Sequence, residues 1–325
     1  KDPDRFIETV LLLQPSFGGV NLEDISQPKC FRILDTLRKR AEIPIWHDDQ
    51  QGTACVTLAG LLNALAVGGK KIEDARITFV GSGASNVACM RLIFAAGADP
   101  AKCIVVDSKG ILHPDREDIF HRKAEFVDKW RLCNATNADG RRGGISEALK
   151  DMDVCIALST PGPNTLRVEW INRMAEDSIV FACANPVPEM WPWEAQEAGV
   201  RIFATGRSDF PNQVNNSLGF PGIFRGALDV RASTITDEMC LAAANALADT
   251  AKNLDETHIL PTMDDWEVFP REAVAVGMMA QQQGIAHFTF SAEELYRKAS
   301  DMIGRSRDLT QWMMRKGFIP EAPEE

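Results

Sequence analysis

The stretch Ile77-Thr-Phe-Val-Gly-Ser-Gly-Ala-Ser85 joins a short apolar strand to a glycine turn and the start of a helix. A loop that holds a dinucleotide needs glycine where the chain turns tightly and where the backbone approaches pyrophosphate, and the helix that follows offers unpaired N–H groups to the phosphates. Gly81 and Gly83 meet these needs, whereas Asn86 stands at the third glycine position. The strand–turn–helix context therefore predicts a dinucleotide-binding loop with an incomplete glycine fingerprint.

The chain around this loop alternates between short apolar strands and helices. Near-continuously apolar strands separated by helices predict a parallel sheet covered on both faces, which is a Rossmann-like, doubly wound α/β fold. The predicted strands are 77–80, 103–106, 154–158, 179–182 and 201–204, and the predicted helices are 84–96, 115–132, 146–150, 167–175 and 193–198.

The ends of the chain follow a different pattern. We predict helices at 1–15, 28–40 and 54–67, an apolar strand at 43–46, an ordered loop at 211–226, and helices at 237–252 and 291–304. The parallel sheet is thus expected to be inserted between segments of a second, mainly helical α/β domain. The predicted units are a metal and substrate segment (1–48), a dinucleotide-binding domain (49–214), and a substrate-loop and C-terminal helical segment (215–325).

An acidic residue is expected at the end of the second strand of such a sheet, about 20 residues after the glycine loop, where it binds the adenosine ribose. Asp107 stands there and favours NAD on charge grounds. Ser108 and Lys109 follow it and could receive a 2′-phosphate, so NADP stays open.

Two adjacent acidic pairs, Glu23-Asp24 and Asp48-Asp49, lie upstream of the glycine loop. Acidic residues taken singly are usually surface groups. Each pair here follows an apolar step at an expected strand end, where α/β proteins build sites. Carboxylates are the ligands that Mg²⁺ and Mn²⁺ prefer, and adjacent side chains on extended backbone point in opposite directions. We therefore expect each pair to offer one ligand and one supporting or solvated carboxylate.

Composition excludes several classes of protein. The 325 residues are 45% hydrophobic and 25% charged with a net charge of −11, which is typical of a globular protein and unlike one that binds nucleic acid. No apolar run is long enough for a membrane span, and the opening residues lack a signal-peptide core, so a cytoplasmic location is expected. Eight scattered cysteines without a Cys-x-x-Cys pair predict buried, reduced thiols.

The acidic motifs resemble those of the malic enzyme family, and so do several later segments. The matching stretches are Phe17-Gly-Gly-Val-Asn-Leu-Glu-Asp24, His47-Asp-Asp-Gln-Gln-Gly-Thr-Ala54, Ala184-Asn-Pro186, Ala204-Thr-Gly-Arg-Ser-Asp209, Pro211-Asn-Gln-Val-Asn-Asn216 and 220–231. These motifs are most similar to those of the compact prokaryotic branch, and the resemblance extends over nearly the whole chain. The resemblance implies oxidative decarboxylation of L-malate to pyruvate and CO2 with reduction of NAD or NADP, a divalent metal, and a homodimer or higher homo-oligomer.

The resemblance also implies a role for each matching residue. The metal ligands would be Glu23, Asp24 and Asp49, and Asp48 would be a neighbouring carboxylate that tunes the catalytic base. Malate would meet Asn185, Asn215 and Asn216. The cofactor would meet Gly81, Ser82, Gly83, Ala84, Ser85, Ser159, Thr160 and Asn185. His47 could order the second acidic pair.

One part of the family pattern is absent from this sequence. Malic enzymes carry a tyrosine and a lysine for proton transfer before the first acidic motif, which this chain reaches at Gly18. The sole tyrosine, Tyr296, lies in a predicted amphipathic helix without a catalytic context. We therefore expect little malate turnover from this segment alone. Two alternatives stay open at this stage: a non-catalytic nucleotide-binding module, and another NAD(P)-dependent hydroxy- or amino-acid dehydrogenase.

Overall fold

The structure, a computed structural model, describes residues 2–320 and contains a six-stranded sheet flanked by helices. The strands are β1 (Val20–Leu22), β2 (Ile45–His47), β3 (Ile77–Val80), β4 (Ile104–Asp107), β5 (Gly110–Ile111), β6 (Val154–Ala157), β7 (Ile179–Ala182) and β8 (Ile202–Thr205). The helices are α1 (Pro3–Leu13), α2 (Lys29–Arg40), α3 (Thr53–Val67), α4 (Ala84–Ala95), α5 (Glu117–Phe120), α6 (Val127–Ala135), α7 (Ile145–Leu149), α8 (Val168–Ile171), α9 (Pro192–Glu197), α10 (Phe220–Asp229), α11 (Asp237–Thr250), α12 (Val268–Gln282) and α13 (Ala292–Arg315).

The large sheet has the strand order β5-β4-β3-β6-β7-β8 and is parallel except for β5. The chain runs outward from β3 to β4 and then crosses to β6 on the other side of β3. The order therefore reverses between β3 and β6, and the loops that leave these two strands diverge into a crevice. We call the edge at which the parallel strands end the carboxyl edge, and the opposite one the amino edge. The predicted doubly wound fold is confirmed.

A second, two-stranded parallel sheet joins β1 to β2, with Leu22 opposite His47. Because the strands are parallel and in register, their ends lie side by side. Glu23-Asp24 and Asp48-Asp49, which follow directly, are thereby brought to the same edge of this small sheet.

Burial of apolar side chains holds these elements together. Phe79 of β3 and Phe181 of β7 are fully buried in a core that extends over α3, α4, α11 and α12. Burying a side chain of this size contributes about 1.5–3 kcal/mol relative to leaving it exposed. A separate apolar cluster, which includes Ile7, Leu37 and Ile45, packs α1 and α2 against the small sheet.

Several predicted elements differ from the structure, and of the helix predicted over 167–175 only Val168–Ile171 is helical. The helix expected over 115–132 is two short helices, α5 and α6, because residues 121–125 are exposed and have no apolar face to bury. The loop expected over 211–226 ends at α10, where Pro221 occupies the first turn. Helix α12 was not predicted, and α13 continues beyond residue 304 to Arg315.

The glycines that made 211–226 look like a loop serve helix packing instead. A Cβ atom at Gly226 would lie 2.4 Å from the Ala273 carbonyl oxygen, so α10 and α12 can approach this closely only at glycine.

The predicted cysteine state is confirmed, since all eight thiols are free and buried. Among residues 2–320, we find no helix with the length and apolar character that a bilayer crossing requires.

Candidate active site

A polar cleft of about 600 Å³ lies where the small sheet faces the carboxyl edge of the large one. This volume falls within the range of about 300–1,000 Å³ that is typical of small-molecule sites. The residues predicted from sequence that line it are Glu23, Asp48, Asp49, Ser85, Ser159, Asn185, Asn215 and Asn216. The crevice at the strand-order reversal and three of the four carboxylates of the acidic pairs thus open into one space.

Asp48 is held firmly on the cleft wall. Its Oδ1 accepts a hydrogen bond from the Trp46 indole Nε1 at 3.1 Å, and its Oδ2 accepts one from Asn216 Nδ2 at 2.8 Å. Gly52 makes room for this carboxylate, because a Cβ atom there would lie 2.2 Å from Asp48 Oδ1. Asp48 therefore joins the loop after β2 to the asparagine segment before α10.

Glu23 and Asp49 are each anchored through one carboxylate oxygen. Asn21 Nδ2 donates to Glu23 Oε1 at 2.9 Å, and the backbone N–H of Asp24 donates to Asp49 Oδ2 at 2.9 Å. The latter bond couples the two acidic pairs directly. Asp24 has a left-handed backbone with φ of 57°. Asp24 itself lines a neighbouring hollow beside α1.

The donor set of the cleft fits a hard divalent cation. Carboxylates of Glu23, Asp48 and Asp49 share the cleft with the amide oxygens of asparagines, and oxygen ligands of this kind are those that Mg²⁺ and Mn²⁺ prefer. Within residues 2–320, no three His, Cys, Asp or Glu side chains already converge on one point in a geometry that could hold a metal ion. The ligand set Glu23, Asp24 and Asp49 consequently stays a prediction.

His47 lies beneath the second acidic pair. Its ring is fully buried, with Nδ1 3.7 Å from Asp49 Oδ2, and neither ring nitrogen has a hydrogen-bond partner among the described residues. Burial lowers the pKa of His47, and the nearby carboxylates, Asp49 foremost, oppose this shift. The ring is placed where it can support Asp49, as the sequence suggested.

The glycine loop has the backbone that close packing at the strand-order reversal requires. Gly81 has φ of +104°, and a Cβ atom there would lie 2.6 Å from the Leu158 carbonyl oxygen at the end of β6. Gly83 faces open space, and α4 begins after it without a side-chain cap. The first N–H groups of α4, from Ala84 onward, are thus free to meet an anion, which fits a dinucleotide pyrophosphate. Ser82 is buried within this loop.

Asn86, which replaces the third glycine, explains the incomplete fingerprint. Its side chain is fully buried, and Nδ2 donates to the carbonyl oxygens of Val80 at 2.8 Å and Gly81 at 3.0 Å. The amide therefore ties the first turn of α4 back to β3. In the complete fingerprint, the small size of glycine allows the helix to pack closely on the strand. Here the hydrogen-bonded side chain of Asn86 fixes this helix–strand contact instead.

Asp107 ends β4 as predicted, but its carboxylate is already engaged. Arg116 and Lys129 contact Asp107 Oδ2 at 3.0 Å each, and the Lys109 N–H donates to Oδ1 at 2.8 Å. Burial acts to raise the pKa of Asp107, but these hydrogen bonds lower it overall. Arg116 and Lys129 were missed because no local pattern connects them to the end of β4. A ribose hydroxyl would have to share this carboxylate with two cations.

The remaining predicted residues lie in or beside the cleft. Asn185 is exposed in the loop after β7, and a Cβ atom at Gly206 would approach its Oδ1 to 3.0 Å. Asn215 Oδ1 accepts from the Ser217 N–H at 2.9 Å. Thr160 is exposed next to Ser159. The Lys109 ammonium lies outside the cleft, 3.1 Å from Asp118.

Comparison with known sequences assigns most of the chain to two family profiles. The profile described as "Malic enzyme, NAD binding domain" matches residues 50–282, and "Malic enzyme, N-terminal domain" matches residues 1–38. The bifunctional malic/malolactic enzyme of Bacillus subtilis is 44% identical over 91% of this chain and 71% of its own length. The NAD-dependent malic enzyme of Geobacillus stearothermophilus is 45% identical over 88% and 58%, respectively. The NADP-dependent malic enzyme of Halomonas elongata is 42% identical over 94% and 73%.

Two solved structures are similar over nearly the whole chain. The malic enzyme of Entamoeba histolytica superimposes with a TM-score of 0.96 at 52% identity, covering 99% of this chain and 66% of that one. The malic enzyme of Pyrococcus horikoshii gives a TM-score of 0.91 at 46% identity, covering 97% and 73%. The chain thus spans between 58% and 73% of the length of the relatives named above.

Proposed function

The chain belongs to the malic enzyme family, and we propose that its cleft serves the oxidative decarboxylation of L-malate to pyruvate and CO2 with reduction of NAD or NADP. One observation carries this proposal. The two acidic strand ends of the small sheet face the strand-order reversal of the dinucleotide-binding sheet across a single cleft. A reaction that needs both a metal and a nicotinamide at one carbon requires this juxtaposition.

The chain's own residues would divide the work as follows. Glu23, Asp24 and Asp49 would hold the cation, and the first turn of α4 would bind the pyrophosphate. When bound, the cation would polarise the malate oxygens as a Lewis acid, and the nicotinamide would accept a hydride. Asp48 supplies a fixed negative charge that raises the proton affinity of a base beside it.

The asparagines would orient malate. The Nδ2 group of Asn216 is committed to Asp48, which leaves its Oδ1 to accept a hydrogen bond from the malate hydroxyl. Asn185 reaches the cleft from the loop after β7 and can contact both substrate and cofactor. Because Asp48 and Asn216 are bonded to each other, substrate position and the charge near the reacting carbon are linked.

Both cofactors are compatible with the proposal, because NAD- and NADP-dependent relatives are similar to this chain to nearly the same degree. Asp107 is proposed to meet the adenosine ribose, and Lys109 is the group that would meet a 2′-phosphate. A homo-oligomer and a cytoplasmic location remain predictions. A non-catalytic module or a different dehydrogenase is not favoured, since the relatives named above are malic enzymes.

A metal titration tests the proposal. The Trp46 indole is bonded to Asp48, so paramagnetic Mn²⁺ in the cleft should quench tryptophan fluorescence saturably. Glu23→Gln should weaken the apparent Mn²⁺ affinity at least tenfold, since it removes one charged ligand. Glu293→Gln, in the exposed first turn of α13, is the matched control and should titrate like the parent chain. An absent response, or one that Glu23→Gln leaves unchanged, would refute the metal site.

Turnover is tested separately by following NADH and NADPH formation from malate in the presence of Mg²⁺ or Mn²⁺. Formation of NADH or NADPH that requires both malate and the cation would support the proposed reaction, and formation that does not depend on the cation would contradict it.

A further inference from the structure

Glu189 is a buried acid for which the proposed chemistry has no use. Its side chain is inaccessible to solvent, between the loops that leave β6 and β7. Oε1 accepts hydrogen bonds from the Ser159 N–H at 2.8 Å and the Ser159 Oγ at 3.2 Å. Oε2 accepts one from the Ala184 N–H at 3.0 Å. One carboxylate therefore bridges the two loops.

We propose that Glu189 is a positioning residue that sets the width of the cleft by clamping these two loops together. Ser159 and Ala184 both line the cleft, and Asn185 directly follows Ala184. The clamp fixes the backbone on which the cofactor-facing and malate-facing groups are mounted. This inference rests on the proposed function, because the cleft matters only if it binds cofactor and substrate.

A carboxylate suits this place better than any neutral side chain. Backbone N–H groups from two loops converge on opposite oxygens, so both oxygens must act as acceptors. A glutamine would turn its NH2 group toward one of these donors, and that bond would become a repulsive contact. Hydrogen bonds to a charged acceptor are also about twice as strong as neutral ones.

Keeping this acid buried lowers the stability of the folded chain. Burial raises the pKa of Glu189, and the hydrogen bonds from Ala184 and Ser159 act against that shift. The cationic side chain of Arg207, which comes near this region, is engaged elsewhere: it donates to the Pro186 carbonyl oxygen at 3.0 Å and pairs with Asp209. The three N–H and O–H donors are thus what holds the charge.

Backbone bonds join the same loops further from the cleft. The Gly162 N–H donates to the Val187 carbonyl oxygen at 3.2 Å, and the Leu166 N–H donates to the Glu189 carbonyl oxygen at 3.1 Å. These bonds would keep the loops associated if the carboxylate were altered. Loss of the clamp is therefore expected to widen the cleft locally while the sheet remains folded.

The test is NADH binding to the full chain, followed by NADH fluorescence, for the parent, Glu189→Asp and Glu189→Gln. We expect the dissociation constant to rise about tenfold for Glu189→Gln, which corresponds to about 1.4 kcal/mol. Glu189→Asp keeps the charge but is shorter by one methylene group, and it should fall between the two. If Glu189→Gln does not fold, the Glu189→Asp comparison still decides the proposal.

The matched control is Asp153→Asn. Asp153 is also a buried carboxylate that bridges two segments of this sheet, but it lies at the amino edge, away from the cleft. The Asp153→Asn substitution should lower the urea midpoint and leave NADH binding unchanged. If both variants weaken NADH binding equally, or Glu189→Gln does not weaken it, the clamp is refuted. If the parent chain itself fails to bind NADH, the proposed function fails instead.

Discussion

The two edges of the large sheet treat a buried carboxylate in opposite ways. At the amino edge, Asp153 meets cations: Lys70 Nζ lies 2.7 Å from Oδ1, and the Arg76 guanidinium donates to both oxygens at 3.1 Å. At the carboxyl edge, the donors that Glu189 meets among residues 2–320 are the neutral groups of Ser159 and Ala184. One acid ties its edge together with ion pairs, and the other ties two loops together with neutral donors.

The difference separates stability from function. An ion-paired acid neutralises its surroundings and needs no further partner. An acid held by neutral donors fixes the separation of two loops without placing a cation beside them, so the cleft that these loops line keeps its width. Residues at the carboxyl edge should therefore affect ligand binding, whether or not they also affect stability, and residues at the amino edge should affect stability alone.

The largest expected effect contrasts two glycines with nearly the same backbone. Gly81, at the carboxyl edge, has φ of +104°, and Gly97, after α4, has φ of +109°. A Cβ atom would lie 2.6 Å from the Leu158 carbonyl oxygen at Gly81, but 3.8 Å from its nearest neighbour, in Ile72, at Gly97. Gly81→Ala should cost about 3 kcal/mol of unfolding free energy, from strain plus displacement of β6, and Gly97→Ala about 1 kcal/mol, from strain only.

Urea unfolding and NADH fluorescence measure this contrast. Only Gly81→Ala should also abolish NADH binding. Equal costs for the two substitutions would show that the close approach of the glycine loop to β6 is unimportant.

The next effect is on the ion-paired acid. Burial alone would raise the pKa of Asp153, but hydrogen bonds from Arg76 and Lys70 lower it to about 2. A carboxyl group with a lowered folded-state pKa contributes stability above its unfolded pKa and loses it as the pH falls. Asp153→Asn should therefore cost about 2 kcal/mol at pH 7.

The cost of Asp153→Asn should shrink once the pH falls below the ordinary carboxyl value of 3.8 toward about 2. Urea unfolding of both proteins across this range gives the measurement. Asp139→Asn, an exposed acid paired with Arg141, is the control and should change stability by less than about 0.5 kcal/mol. A difference at pH 7 that persists unchanged at the acid end would be inconsistent with the ion pairs.

The smallest effect concerns Glu272, a third buried acid that belongs to neither pattern. It is fully buried on α12 against α10, and neither carboxylate oxygen has a hydrogen-bond partner among the described residues. Burial raises its pKa well above the ordinary value. The folded chain therefore retains a proton that the unfolded chain releases, and stability falls as the pH rises above 4.5.

Glu272→Gln removes this proton linkage. It should be nearly neutral near pH 5 and more stable than the parent by about 1 kcal/mol at pH 6. Thermal unfolding at the two pH values checks this, with exposed Glu293→Gln as the control. A parent chain whose stability does not fall across this range would mean that Glu272 has a partner.

Much of the fold was predictable because it depends on local patterns. Runs such as Ile77–Val80 and Ile179–Ala182 have only one stable role, as buried parallel strands. The errors arose where distant packing overrides local composition. Glycines in and next to α10 indicate a loop until the facing helix α12 is known, and residues 121–125 carry helix-forming types with nothing apolar to bury.

The candidate site divides along the same line. The acidic pairs and the glycine loop can be recognised from the sequence, and their flanking residues resemble those of one family. Glu189, Arg116 and Lys129 do not, because each acts on residues from another loop. Only the structure indicates that Asp24 lines a neighbouring hollow and that Asp48 is bonded to Asn216.

The sequence by itself determined the strands and helices that build the sheet, the chemistry of the donor groups and the family. These features follow from side-chain type, periodicity and short motifs, all of which can be read from residues that are close together in the sequence. The tertiary structure decided which carboxylates are neutralised, which are clamped and which face the cleft. Those outcomes depend on distances between segments up to 168 residues apart, as between Asp48 and Asn216, and no local pattern encodes them.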